Sequence, residues 1–132
     1  MQKILFLSII VALLLAACGG SSGPVVGDAA RGKKLYDQST LGKKSAEGCA
    51  SCHKYDAPDG KDDKAPYTKG TGSRAATRVP GLSADEYIKE SILKPDAYVV
   101  DKYKAGDMYQ KWGEDLSAQE LADLVAYLLT EK

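Results

Sequence analysis

The stretch CASCH at residues 49–53 places two thiols three positions apart and an imidazole directly after the second thiol. Covalent attachment of a c-type haem requires these residue types at this spacing, because Cys49 and Cys52 can each add to one vinyl group of the porphyrin. The next side chain, His53, would then lie beneath the iron as its proximal ligand. The sequence therefore predicts one covalently attached haem c.

Two other kinds of site also use a Cys-x-x-Cys pair. A redox-active dithiol of the thioredoxin type needs a βαβ context, which the sequence lacks. A zinc site would need two further soft ligands, but the chain holds only three cysteines and one histidine. The third cysteine, Cys18, belongs to a different motif. The haem interpretation is therefore favoured over both alternatives.

The single histidine leaves open which group would bind the other axial position of the iron. Methionine, tyrosine, lysine or water could fill it. Met1 would be lost with a leader, so Met108 is the remaining methionine, and it lies in a polar loop where a core-filling side chain would be unusual. We predict His53 and Met108 as the axial pair, which raises the potential and closes the iron to external ligands.

Residues 1–17 resemble a bacterial lipoprotein signal peptide, which does not belong to the fold. Lys3 precedes an apolar run over residues 4–15, and LAAC at residues 15–18 resembles a lipobox. The resemblance implies cleavage before Cys18 and acylation of its new amino terminus, and several acyl chains anchor a protein stably. An uncleaved membrane helix is the alternative, although the run is shorter than the about 20 apolar residues that a span needs.

The lipidated cysteine and a flexible tether would occupy residues 18–27, since GGSSGPVVG at residues 19–27 contains little to bury. Nine such residues have a root-mean-square reach of roughly 15–18 Å, which holds the domain near the membrane. We predict the outer face of a bacterial cytoplasmic membrane as its location. Gly19 stands where Asp would resemble an inner-membrane retention signal, so sorting to an outer membrane stays open.

Residues 28–132 are long enough for one small domain. The chain carries 18 basic and 18 acidic residues, which gives no indication of a nucleic-acid partner. The charges are unevenly divided, with a net charge of +4 over residues 28–78 and −5 over residues 79–132. A solvated surface explains this division, and a dipole that orients docking is the alternative.

Helix signals predict an all-α fold with three main helices and long loops around the haem. The first helix spans residues 28–38. The other two begin at capping boxes, Ser83 with Glu86 and Ser117 with Glu120, each followed by apolar residues at helical spacing. Pro95 ends the second of these helices, while residues 39–48 read as a surface loop and residues 54–81 show no clear period.

Together these features resemble a class I, monohaem cytochrome c over residues 27–132. In that family a helix carrying Gly and an aromatic residue packs across the C-terminal helix, and Gly32, Tyr36 and Tyr127 match those positions. The resemblance also implies that the carbonyl of Pro66 fixes the ring of the proximal histidine, as partners of a ligating imidazole do. Tyr109 departs from the family, which often has Pro after the axial methionine.

Other residues near the motifs have open roles. Trp112 stands close to the ligand loop, where it could pack on the haem, bind a propionate or pack in the core. Tyr67, Arg74 and Arg78 could bind propionates or lie on an ordinary surface.

The resemblance implies a membrane-anchored carrier of single electrons in a respiratory or photosynthetic chain, rather than an enzyme. Its partners would be membrane redox complexes: a quinol-oxidising complex, a terminal oxidase or a reaction centre. One alternative is a haem-bearing subunit of a larger oxidoreductase, such as alternative complex III or a terminal oxidase. Another is a haem ligand sensor or peroxidase with an open iron.

Overall fold

The computed structural model describes residues 23–56 and 64–132. In this part of the chain six helices and one small β-hairpin form the fold, so the all-α prediction is confirmed. In chain order they are α1 (Ala29–Tyr36), β1 (Thr40–Leu41), β2 (Ala46–Glu47), α2 (Cys49–Cys52), α3 (Thr71–Arg78), α4 (Ala84–Leu93), α5 (Trp112–Asp115) and α6 (Ala118–Thr130).

The proposed signal peptide, Cys18 and the first residues of the tether lie outside the described residues. Within residues 23–56 and 64–132, none of the helices combines the length and the hydropathy that crossing a bilayer requires.

Helix α1 crosses α6 at a glycine. Gly32 is buried, and a Cβ atom built on it would overlap the backbone carbonyl of Asp123. One turn later, the ring of Tyr36 packs edge-on against Tyr127, with ring centroids 5.2 Å apart. Close approach of the two backbones therefore depends on the missing side chain at residue 32.

A buried carboxyl group fastens the start of α1 to α6. The side chain of Asp123 is 3% exposed and accepts hydrogen bonds from the Arg31 guanidinium at 2.8 and 3.0 Å. It also accepts from the backbone N–H of Asp28 at 2.7 Å and from the Gln119 amide at 2.8 Å. Hydrogen bonding by Arg31 lowers the pKa of Asp123 to about 2.

We expect Asp123→Asn to lower the free energy of unfolding by about 1–2 kcal/mol, because charge-assisted hydrogen bonds are lost while the half-exposed Arg31 is partly screened by water. The native carboxyl has a pKa of about 2 against an ordinary value of 3.8, so its stabilisation is complete above pH 3.8 and disappears as the pH falls through 2. Denaturant titrations at pH 7 and near pH 2 measure both values. An equal deficit at the two pH values would contradict this role.

Both predicted capping boxes are present. Ser83 and Glu86 cap α4 reciprocally, and Ser117 and Glu120 do the same for α6. Helix α4 ends at Leu93, two residues before Pro95, as predicted. The two helices contribute Ile88, Ile92, Leu124 and Val125 to the buried core.

Residues 54–81 show no clear period in the sequence, yet α3 lies within them. This helix is short and made mostly of small and polar residues, so it carries no apolar period. It packs through Ala75, which is fully buried, and through Gly72, where a Cβ atom would overlap the carbonyl of Leu129 in α6. Close backbone contact replaces the apolar side chains that sequence patterns detect.

The prediction of a plain surface loop at residues 39–48 was wrong. Thr40 pairs with Glu47 and Leu41 with Ala46 in an antiparallel hairpin. Leu41 is 3% exposed and belongs to the core. The strands have only two residues each, too few for alternation to be recognised in the sequence.

Candidate functional site

The predicted haem-site residues meet at one cavity of about 810 Å³. Its walls come from all six helices and from the loop before α5. Cofactor pockets commonly have volumes of about 300–1,000 Å³ and mostly apolar walls with a few polar groups. The lining includes Cys49, Cys52, His53, Pro66 and Met108.

The two cysteines occupy a single helical turn, α2. Because Cys49 and Cys52 are three residues apart in that turn, their side chains lie on the same face. The turn follows Gly48, whose N–H donates to the carbonyl of Ser39 at 2.9 Å, and a Cβ atom there would overlap the carbonyl of Gln38. The hairpin therefore fixes where the thiols enter the cavity.

The environment of Cys49 differs from that of a reactive thiol in a redox dithiol. Cys49 and Cys52 form no disulfide with each other, and both are partly buried. Burial raises the pKa of Cys49 to about 11, whereas reactive dithiols have a lowered pKa that favours the thiolate. The local environment is that of a buried thiol facing an apolar cavity.

His53 is held by a backbone carbonyl. Its Nδ1 lies 2.8 Å from the carbonyl oxygen of Pro66, the arrangement that the family resemblance implied. A carbonyl oxygen can only accept, so Nδ1 carries the proton and Nε2 keeps its lone pair. Burial lowers the pKa of His53, which favours this neutral ring. The side chain thus has the tautomer that a metal-ligating imidazole needs.

Backbone pairing brings Pro66 beside His53. The N–H groups of Thr68 and Lys69 donate to the carbonyls of Lys54 and Tyr55 at 2.9 and 2.8 Å. The segment after the histidine is therefore joined to the segment after the proline, across residues 57–63.

Tyr36 has a second role that sequence reasoning missed. Its hydroxyl donates to the His53 carbonyl at 2.8 Å and also bonds the hydroxyl of Thr68, which is 3% exposed. Thr68 carried no recognisable signal, because its importance comes from burial in the tertiary structure. The α1–α6 crossing is thus connected directly to the histidine backbone.

Arg74, a candidate propionate partner, binds the chain itself. Its guanidinium donates to the carbonyls of Tyr67 and Lys69 and to the Thr71 hydroxyl at 3.0 Å. It therefore holds the loop that follows Pro66. Tyr67 and Arg78, the other candidates, line the cavity.

Met108 reaches the same cavity from the loop between α4 and α5 and packs partly buried against the core. On its exposed side, the Gln110 amide donates to the Met108 carbonyl at 2.9 Å and to Asp96 at 3.1 Å. Asp96 also accepts from the N–H of Gly106 at 2.9 Å. Hydrogen bonds thus define the backbone around the methionine.

Trp112 is 3% exposed and lines the cavity. Its ring packs edge-on against that of Tyr109, with ring centroids 4.9 Å apart. It therefore belongs both to the core and to the cavity wall.

The donor set suits one haem: two thiols on one face, a neutral imidazole with a fixed tautomer, a thioether from a distant loop, and an apolar cavity around them. In residues 23–56 and 64–132, no three His, Cys, Asp or Glu side chains cluster as a metal-binding group.

Comparison with protein families gives a match to the family described as Cytochrome c over residues 29–132. Searches of curated proteins and of solved structures gave no match.

Proposed function

The chain belongs to the cytochrome c family, whose members bind haem c covalently, and we propose that it is a membrane-anchored carrier of single electrons. The single observation that carries the proposal is the meeting of Cys49, Cys52, His53 and Met108 at one cavity. Cys49 and Cys52 would hold the haem through thioether bonds, and His53 and Met108 would bind its iron. The bound haem supplies one-electron chemistry at its iron.

The chain's own residues hold the histidine of the site in one arrangement. Pro66 and the hydroxyl of Tyr36 hold the histidine ring and its backbone, and buried α1–α6 contacts hold Tyr36 in turn. A thioether from Met108 would exclude external ligands, in contrast to a sensor or peroxidase, which needs an open position. Fast electron exchange is favoured when little has to move.

We further propose that Cys18 is acylated and that the partners are redox complexes in the same membrane. Helix α6 contacts the segment that precedes α1. The Gln119 amide donates to the Val26 carbonyl at 2.8 Å, and Gly27 packs closely against Ala122. The free length between Cys18 and the domain is therefore shorter than residues 19–27. A short flexible linker gives an effective concentration of millimolar order toward partners in the same membrane.

We expect Cys18→Ser to release a redox-competent domain from the membrane and to slow its reduction by a quinol-oxidising membrane complex. At micromolar total protein, loss of a millimolar effective concentration should slow second-order reduction by roughly a hundredfold or more. We further propose that the positive segment over residues 28–78 is attracted to an acidic patch on the partner. Only the released form should then lose rate steeply with salt, because its encounter depends on that long-range attraction. Stopped-flow reduction in membrane vesicles measures both forms.

The control is Ser21→Ala, a change inside the tether that leaves Cys18 in place and should keep the wild-type rate. Retention of Cys18→Ser at the membrane would support an uncleaved helix instead of a lipid anchor. Equal reduction rates for the anchored and released forms would contradict selection of a membrane partner by the tether.

A further inference from the structure

Asp115, at the end of α5, is a buried acid that the electron-carrier proposal does not use. Its side chain is 1% exposed. Oδ2 accepts a 2.6 Å hydrogen bond from the hydroxyl of Tyr109, and Nζ of Lys44 lies 3.4 Å from Oδ1. Oδ1 has no hydrogen-bond partner of its own among the described residues. A buried carboxyl group with so few partners is costly to the fold, which suggests a specific role.

The same residue is joined to the hairpin that precedes the cysteines. The N–H of Lys43 donates to the Asp115 carbonyl at 3.1 Å, and Lys44 pairs with Glu114 at 2.9 Å. Gly42, at φ +78°, lies so close that a Cβ atom on it would be 2.9 Å from Cβ of Asp115. Contacts with the hairpin that precedes the cysteines therefore fix the position of Asp115.

Tyr109 links Asp115 to the loop that contains Met108. It follows Met108 directly, and its ring packs edge-on against the buried Trp112 at 4.9 Å. Its hydroxyl is held by Asp115, so both ends of the side chain have fixed partners. The hydrogen bonds that Gln110 donates to Asp96 and to the Met108 carbonyl are exposed and can exchange with water.

We propose that Asp115, acting through the Tyr109 hydroxyl, is a positioning residue that keeps the Met108 thioether at the iron. The Asp115–Tyr109 hydrogen bond sets the fraction of open molecules, in which the Met108 thioether has left the iron and an external ligand can bind. This inference rests on the proposed axial role of Met108.

The expected effect follows from removing the donor of a partly buried hydrogen bond to a buried carboxyl group. Tyr109→Phe keeps the ring against Trp112 but leaves Oδ2 of Asp115 without its donor. The unpaired oxygen raises the free energy of the closed loop. We expect the fraction of open molecules to increase roughly tenfold. Because an external ligand binds only open molecules, its apparent affinity should increase by the same factor.

The experiment is an imidazole titration of the oxidised haem protein, followed by its absorption spectrum. Tyr109→Phe should bind imidazole roughly tenfold more tightly than the wild type. Asp115→Asn keeps an oxygen acceptor for the Tyr109 hydroxyl and should stay within about twofold of the wild type. Gln110→Ala removes exposed hydrogen bonds to Asp96 and to the Met108 carbonyl, which water can replace, and should also have a small effect.

Asp123→Asn is the control for general destabilisation, because it weakens the contact between the start of α1 and α6 and leaves the Asp115–Tyr109 hydrogen bond in place. Its imidazole affinity should equal that of the wild type although its free energy of unfolding is lower. An increase as large as that of Tyr109→Phe would show that any loss of stability opens the site, and would overturn the positioning role.

The two proposals fail differently. If Met108→Ala binds imidazole tightly while Tyr109→Phe matches the wild type, the positioning role of Asp115 is wrong and Met108 remains the ligand. If the wild type already binds imidazole as tightly as Met108→Ala, then Met108 is not the ligand and both proposals fall.

Discussion

Replacing both Cys49 and Cys52 with alanine should abolish covalent haem attachment completely. The thiols lie on one face of a helical turn at the cavity wall, and within residues 23–56 and 64–132 the chain has no other cysteine. We also expect the isolated double variant to lose most of its cooperative folding, because the cavity of about 810 Å³ would have to be filled by its own walls. Mass spectrometry of the denatured protein should show one added haem in the wild type and none in the variant.

The matched control is Cys18→Ser, which removes the third cysteine of the chain. It should keep one covalent haem, since Cys18 is assigned to the membrane anchor. Release of the wild-type haem into acidified organic solvent would contradict thioether attachment.

Replacing Met108 with alanine should open the iron to external ligands in essentially every molecule. The variant should lose the long-wavelength sulfur–iron absorption band and bind carbon monoxide when reduced. Its potential should fall by a substantial part of the roughly 0.8 V range that axial ligands span, because the thioether favours the reduced state. Optical spectra and a redox titration measure these changes.

Met108→Leu is the control for packing, because Leu and Met have similar volumes but only Met carries sulfur. It should lose the band and lower the potential, with less damage to stability than the alanine variant. Survival of the band and the potential in either variant would show that another residue is the axial ligand.

The parts of the fold that could be predicted depend on interactions between residues that are close in the sequence. Ser83 and Ser117 cap their helices with a glutamate three residues later, a pattern that depends on a few neighbouring atoms. The cysteine pair and His53 are recognisable because attachment of a haem constrains their spacing. Gly32 was found through family resemblance, and the structure supplies its physical reason, the nearby carbonyl of Asp123.

The parts that could not be predicted depend on contacts between distant segments. Helix α3 packs through Gly72 and Ala75, small residues that give no apolar period. Asp115 and Asp123 are acidic residues, a type that is usually exposed. Both side chains are nevertheless almost fully buried by partners from other elements.

The central claim is that the chain carries single electrons at an iron that Met108 keeps closed. The most direct test is a potentiometric titration of the purified haem protein under argon and again under carbon monoxide. We expect the same midpoint potential in both gases and a one-electron slope, about 59 mV per tenfold change in the ratio of oxidised to reduced protein. A midpoint that rises under carbon monoxide would show an open iron in the reduced protein and would contradict the account.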